Sequence, residues 1–284
     1  MKIAVTAASG KLGSSVVKEL SKEIGKENVI GIVRTPKKAF LLGIEVRKGD
    51  YNSRADFISA LKGIDSVLLI SGMDDPQKRI QQHRNVIEAA RQNDVKKIVY
   101  TSIIGDEEET AFSPIVKSNR QTEKDVKESG LNWVIGRNGI YIEPDLEYID
   151  TYVKEGEIRN CADDGKCGYT SRDELGFAYT QMLLHDRHNG QTYNLVGEAI
   201  TQTQLAELIN QEFNTNLKFN SVTVDEYEKE RKAELGDFIG TVISGIYNGI
   251  KKGAYDIPSD FEKAAGRPHK STVEMMKDFK EKIK

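Results

Sequence analysis

Eight residues near the amino end, Thr6-Ala7-Ala8-Ser9-Gly10-Lys11-Leu12-Gly13, set two glycines three apart beside a serine hydroxyl. That spacing suits the binding of a pyrophosphate. A glycine without Cβ lets the backbone approach the phosphates, and the next lets a helix pack closely on the strand before it. The start of that helix offers free N–H groups and a positive partial charge to an anion. Gly10 and Gly13 match the last two glycines of a dinucleotide-binding turn, with Ala7 in place of the first. A methyl group at Ala7 requires a negative φ. The phosphate-binding set is therefore Thr6, Ala8, Ser9, Gly10, Lys11, Leu12 and Gly13.

The end of the second apolar run selects the dinucleotide. An NAD site places Asp or Glu there, on the ribose 2′-hydroxyl. This chain has Arg34, followed by Thr35-Pro36-Lys37-Lys38. A guanidinium grips a 2′-phosphate and stacks on adenine, where a carboxylate repels it. Arg34 and Lys38 thus point to NADP(H) in preference to NAD(H). Three further loops complete the site, because ligands of such sheets lie at the carboxyl ends of the strands. Asp50 and Tyr51 face the adenine, Ser71 and Gly72 border the central ribose, and Thr101 and Ser102 approach the nicotinamide.

The elements that must carry these loops are legible as alternating patterns. Lys2–Thr6, Asn28–Arg34, Ile44–Lys48, Ser66–Ser71, Val95–Ser102 and Leu131–Gly136 read as strands. Between them Leu12, Val16, Val17 and Leu20, then Phe57, Ile58 and Leu61, then Val86, Ile87 and Ala90 recur at helical spacing. A polar helix is expected over Lys117–Ser129. The alternation implies right-handed crossovers and a Rossmann-like α/β fold, a doubly wound parallel sheet. After about residue 140 the rhythm breaks into a smaller α+β lobe, with a late strand at Thr192–Val196, a helix at Gln202–Phe213, a strand near Phe219–Val224 and a helical tail. The expected division is a dinucleotide-binding half over 1–140 and a substrate-binding lobe over 141–284, interleaved with the first.

Composition narrows the class. The chain has 284 residues with 41 basic and 44 acidic side chains, so no bulk charge draws it to nucleic acid or to an acidic membrane surface. No apolar run approaches the roughly 20 residues that span a bilayer, and the opening MKIAVTAASG lacks a signal-peptide core. Two cysteines, Cys161 and Cys167, build neither a disulfide framework nor a zinc site, and no metal is expected. These features suggest a cytoplasmic, reducing setting. The oligomeric state stays open, a homodimer included. His185 and His188 read as solvated, Arg172-Asp173 as pinning a helix of the second lobe with Ser171 or Asp173 as its cap, and His83 as facing either the cofactor or solvent.

With these motifs in place, the chain resembles the NmrA-like branch of the atypical short-chain dehydrogenases/reductases. The resemblance is carried by TAASGKLG, VRTP, KGDY, LLISG, QHRNVIEAA, IVYTS, ESGLNWVIGRNGIY, YTSRDELG, GQTYNLVG and GRPHKSTVEMM. It is strongest to bacterial NAD(P)H:quinone oxidoreductases of the NmrA-like type. It implies an NADP(H) site in the first half, a substrate cleft between the lobes, and hydride transfer to a quinone or similar conjugated carbonyl.

Typical members of that superfamily use a Tyr-x-x-x-Lys pair on the helix after the fifth strand. Here that helix, Pro114–Lys124, contains no tyrosine, and the position where atypical relatives often keep a lysine is Asn119. The one Tyr-x-x-x-Lys, Tyr247 with Lys251, reads as a chance pairing on a helix surface. Quinone reduction tolerates this lack, since the cofactor carries the chemistry and the protein positions donor and ring. Asn138 and Tyr141, after the sixth strand, are the candidates to touch substrate or nicotinamide. The competing reading is a non-catalytic NADP(H)-binding redox sensor of the NmrA type.

Overall fold

In the computed structural model, residues 1–283 are described, and of Lys38 the backbone alone. Strands β1 (Ile3–Thr6), β2 (Val29–Val33), β3 (Glu45–Lys48), β4 (Ser66–Leu69), β5 (Lys97–Ile103) and β6 (Asn132–Asn138) fall where the apolar runs predict, with no end shifted by more than two residues. They are joined by β10 (Gln191–Leu195), the expected late strand. The resulting parallel sheet has the order β10-β6-β5-β4-β1-β2-β3.

Helices cover both faces. On one lie α1 (Lys11–Ile24), α7 (Arg172–Leu184) and α11 (Phe261–Ala265), which bury Val16, Leu20, Leu175, Met182 and Phe261 against Val5, Leu68 and Val134. On the other lie α2 (Arg54–Ala60), α3 (Pro76–Gln92) and α4 (Ser113–Lys127), which bury Phe57, Val86, Ala90 and Val126 against Ile32, Leu69 and Tyr100. The near-continuous burial of the central strands is what a sheet covered on both faces demands. Helix α4 begins four residues before the expected Lys117, because Pro114 suits a first helical turn. The segment from Pro36 to Leu42 is two short 3₁₀ turns.

Ser171 accepts from the Glu174 N–H and caps α7. That helix packs along α1, where a Cβ on Gly176 would stand 2.5 Å from Ser15 Oγ, so the Arg172-Asp173 motif pins a helix against α1 of the amino-terminal half and not within the carboxy-terminal elements. The remaining elements surround a third core. These are β7 (Ile140–Tyr141), α5 (Glu143–Glu147), α6 (Ile149–Glu155), β8 (Glu157–Asn160), β9 (Lys166–Thr170), β11 (Ala199–Thr201), α8 (Gln202–Phe213), β12 (Lys218–Ser221), α9 (Val224–Leu235), α10 (Asp237–Lys251) and α12 (Thr272–Ile283). Their core is built on Ile142, Ile158, Tyr169, Leu205, Ile209 and Met276. No helix among the described residues is long and apolar enough to cross a membrane.

Candidate functional site

The order β4-β1-β2 makes the space between β1 and β4 a topological switch point, where the two wings of the sheet diverge and a crevice opens at the carboxyl ends. The glycine turn hangs over it. Ser9, Gly10 and Lys11 are exposed, and Ala8 and Leu12 are anchored in the core. A Cβ on Gly13 would lie 2.4 Å from the Ala7 carbonyl oxygen, so only glycine lets α1 start this close to the strand. The N–H groups of the first α1 turn have no side-chain cap, in contrast to α2, α3 and α7, which Ser53, Asp75 and Ser171 cap. An uncapped, acid-free helix start beneath an open turn fits a pyrophosphate. Ala7 corrects the expectation: its φ is +48°, in the left-handed region, and the turn closes through Gly10 N–H donating to Ala7 O at 2.9 Å. The residue carries the backbone strain of a non-glycine in that region.

Thr6 turns inward. Its hydroxyl donates to Leu68 O at 3.0 Å and accepts from Ile70 N–H at 2.9 Å, and the Tyr51 hydroxyl lies 2.7 Å away. Tyr51 also reaches Ile70 O at 2.6 Å and stacks on Phe57. These two predicted site residues hold the carboxyl ends of β1 and β4 together at the switch point. Arg34 follows β2 and is exposed with Lys37; the side chain of Lys38 lies outside the described residues. Asp50 accepts from Asn52 N–H and so shapes the loop after β3.

The ends of β4 and β5 form a dense polar cluster. Ser71 N–H donates to Thr101 Oγ1 at 2.9 Å, and Gly72 N–H to His83 Nε2 at 3.0 Å. His83 is buried and not solvent-facing: its ring supports the Gly72 backbone. With Nε2 accepting, Nδ1 carries the proton and faces Thr122 Oγ1 at 2.9 Å. Burial, and then the Arg79 charge, push its pKa down to about 3. Asn119 Oδ1 accepts from the Tyr100 hydroxyl at 2.7 Å, Ser71 Oγ at 3.0 Å and Arg79 Nη2 at 3.3 Å. Ser102 is fully buried and donates to Glu123 at 2.6 Å. Burial acts to raise the Glu123 carboxyl, but the Arg137 fork at 2.7 and 2.9 Å, Ser102 and the Arg120 charge outweigh it and hold it below the usual range.

At the end of β6, Asn138 stands between two phenols. Tyr179 donates to its Oδ1 at 2.6 Å, and its Nδ2 donates to the Tyr141 hydroxyl at 2.9 Å. Burial raises the Tyr141 phenol to about 12, against the opposing effects of Asn138 and of Arg172, whose guanidinium lies over the ring. Glu147 accepts from Lys11 at 2.7 Å and from Arg172 at 3.1 Å, tying the glycine turn to α5 and α7.

Other expectations change. His188 is buried, with Nδ1 2.9 Å from the Tyr193 hydroxyl, while His185 is exposed. Tyr247 is not on a helix surface: its hydroxyl lies 3.4 Å from buried Asp145 Oδ1, and Lys251 turns away to Asp163. Cys161 and Cys167 are free and buried. Among the described residues no group of three or more His, Cys, Asp or Glu is placed to hold a metal. Sequence reasoning missed Arg79, Tyr100 and Tyr179. Arg79 and His83 lie four apart and continue the inward stripe of Val86, Ile87 and Ala90, which was the available signal.

A family profile described as NAD(P)H-binding matches residues 7–175, more than half the chain. Quinone oxidoreductase 2 of Escherichia coli K12 is 32% identical, with 96% of each chain covered. An NmrA-like family domain-containing oxidoreductase of Aspergillus flavus is 28% identical over 86% of this chain and 83% of its own. Among solved structures, the Escherichia coli NADPH-dependent quinone oxidoreductase complexed with NADPH superposes with a TM-score of 0.89 at 31% identity, covering 98% of this chain and 99% of that one. The Citrobacter triphenylmethane reductase complexed with NADP(H) gives 0.90 at 30% identity, with the same coverage. The chain belongs to the NAD(P)H-binding family, in its NmrA-like oxidoreductase branch.

Proposed function

We propose that this chain is an NADPH-dependent oxidoreductase that reduces a quinone or a similar conjugated carbonyl. The relatives' names supply the acceptor class: a quinone oxidoreductase, a triphenylmethane reductase and an NAD(P)H azoreductase all imply conjugated electron acceptors. When bound, the dinucleotide supplies the hydride. The protein's part is to bind, orient and hold protons. Ser9, Gly10, Lys11 and the uncapped start of α1 receive the pyrophosphate. Arg34 receives the 2′-phosphate, with Asp50 on the adenine side. Ser71, Gly72 and Thr101 line the path toward β6.

The observation that carries the reading at the reacting end is the Asn138–Tyr141 bond. Tyr141 accepts from Asn138 there, so its own O–H is left to donate. A phenol raised to about 12 stays protonated at neutral pH and donates a hydrogen bond to an acceptor oxygen as charge develops on it. No tyrosine–lysine pair on α4 is needed for this.

The test is steady-state loss of NADPH absorbance with a small benzoquinone. Turnover supports the enzyme. Tight NADPH binding without turnover on quinones or azo compounds supports the redox-sensor reading instead.

A further inference from the structure

Arg79 is the unusual cation of the molecule. It is 4% exposed, yet no Asp or Glu pairs with it among the described residues. The guanidiniums of Arg84, Arg120, Arg137 and Arg267 all meet carboxylates. Arg79 instead donates to neutral oxygens, Ser71 Oγ at 2.6 Å and Asn119 Oδ1 at 3.3 Å, and its Nε is buried with no partner. His83 beside it is neutral and cancels nothing. An unpaired buried charge is costly, so another interaction must offset it.

Its position suggests which. Arg79 sits directly behind Ser71, at the carboxyl ends of β4 and β5. The glycine turn follows β1 and Arg34 follows β2, so the adenosine lies over the β2 side. A dinucleotide across the switch point then runs its nicotinamide toward β4, β5 and β6. The reduced ring is neutral and the oxidised ring carries a positive charge. A cation in a poorly solvated site disfavours the charged ring and leaves the neutral one nearly unaffected.

We propose that Arg79 is a redox-state discriminator, whose uncompensated charge weakens binding of the oxidised dinucleotide relative to the reduced one. This favours loading with the electron donor and release of the spent form. The inference rests on the cofactor reading above and not on the acceptor.

The experiment measures dissociation constants for NADP⁺ and NADPH, by calorimetry on the full chain without acceptor, together with the melting temperature. In Arg79→Met the ratio of the NADP⁺ to the NADPH constant should fall about tenfold. Asn119→Asp, which sets a carboxylate within reach of the guanidinium while keeping all three donors satisfied, should lower the ratio in the same direction. Arg79→Lys, which keeps the charge, should retain it. The NAD⁺/NADH pair should respond in parallel, because the 2′-phosphate is common to both redox forms. An unchanged ratio in Asn119→Asp with wild-type melting overturns the proposal even if Arg79→Met fails to fold. So does a ratio that falls as far in Arg79→Lys. Wild-type protein that binds neither redox form overturns the cofactor reading and this one together.

Discussion

Tyr179 donates to Asn138 Oδ1 at 2.6 Å, and this bond decides which way the Asn138 amide faces. With Oδ1 held by Tyr179, Nδ2 is left to face Tyr141, and the Tyr141 hydroxyl is left with its own proton to give. The three residues come from α7, β6 and β7, so the sheet and the helix that covers it jointly set the donor. Tyr141→Phe should therefore lower kcat for quinone reduction about tenfold or more, with little change in NADPH affinity. Tyr179→Phe should lower kcat by a smaller factor, since Asn138 keeps its place but loses the bond that orients it. Tyr141 should add no ionisation to the kcat profile from neutral pH to about 10, because burial pushes its phenol up to about 12. A wild-type kcat in Tyr141→Phe would remove the phenol from the reaction.

Arg34 is exposed at the end of β2 with Lys37 beside it. A guanidinium in that place gains most from the dianionic 2′-phosphate and little from a ribose hydroxyl. Arg34→Ala should weaken NADPH about tenfold and leave NADH within twofold, as read by titration of each. Arg34→Glu should go further and invert the preference. Equal losses for both dinucleotides would show that Arg34 only supports the loop.

The glycine turn after β1 contains strain that two substitutions can separate. Ala7 holds φ at +48°, whereas Gly13 is needed for contact with the Ala7 carbonyl. Ala7→Gly relieves about 1 kcal/mol of left-handed strain, offset in part by the added freedom of the unfolded chain, so its melting temperature should change little. Gly13→Ala forces a Cβ to within 2.4 Å of that oxygen and must push α1 off the strand. It should cost about 1–3 kcal/mol of stability and most of the cofactor affinity. Thermal melting with and without NADPH reads both quantities.

The contrast between Ala7 and Gly13 shows how far the sequence reaches. The periodicity of the first 140 residues is local, and so six strands and their covering helices could be read off it. The Gly10–Gly13 spacing is local too. What could not be read depends on partners far apart in the chain. Thr6 and Tyr51 have the right types for a ligand site but spend their hydroxyls on each other and on β4. His188 looked solvated in a run of polar residues and is buried by Tyr193 and the edge of the sheet. Tyr247 followed the spacing of a helix surface, and only the position of α5 reveals the carboxylate it meets. Arg79 was hidden for the opposite reason: its helical spacing marks it as inward-facing, but which neutral oxygens meet a cation there depends on the distant Ser71 and Asn119.

Asp145 yields the prediction with the clearest sign. It is 4% exposed, and its Oδ1 accepts from Tyr152 at 2.9 Å and lies 3.4 Å from the Tyr247 hydroxyl. Burial raises its pKa from 3.8 to about 6, against the lowering effect of the surrounding phenols. A carboxyl raised in the folded state binds its proton there more tightly than in the unfolded chain. Its favourable contribution is fully present below pH 3.8 and is lost as pH rises through 6. At neutral pH the ionised side chain is thus a liability of about 3 kcal/mol at most. Asp145→Asn, uncharged at every pH, should raise the melting temperature at pH 7.5, and that advantage should shrink to nothing near pH 4. Chemical denaturation of both proteins across this range measures the difference directly. A stability gap that does not vary with pH would mean that Asp145 does not titrate in the folded state, and that the phenols around it hold the carboxylate charged throughout.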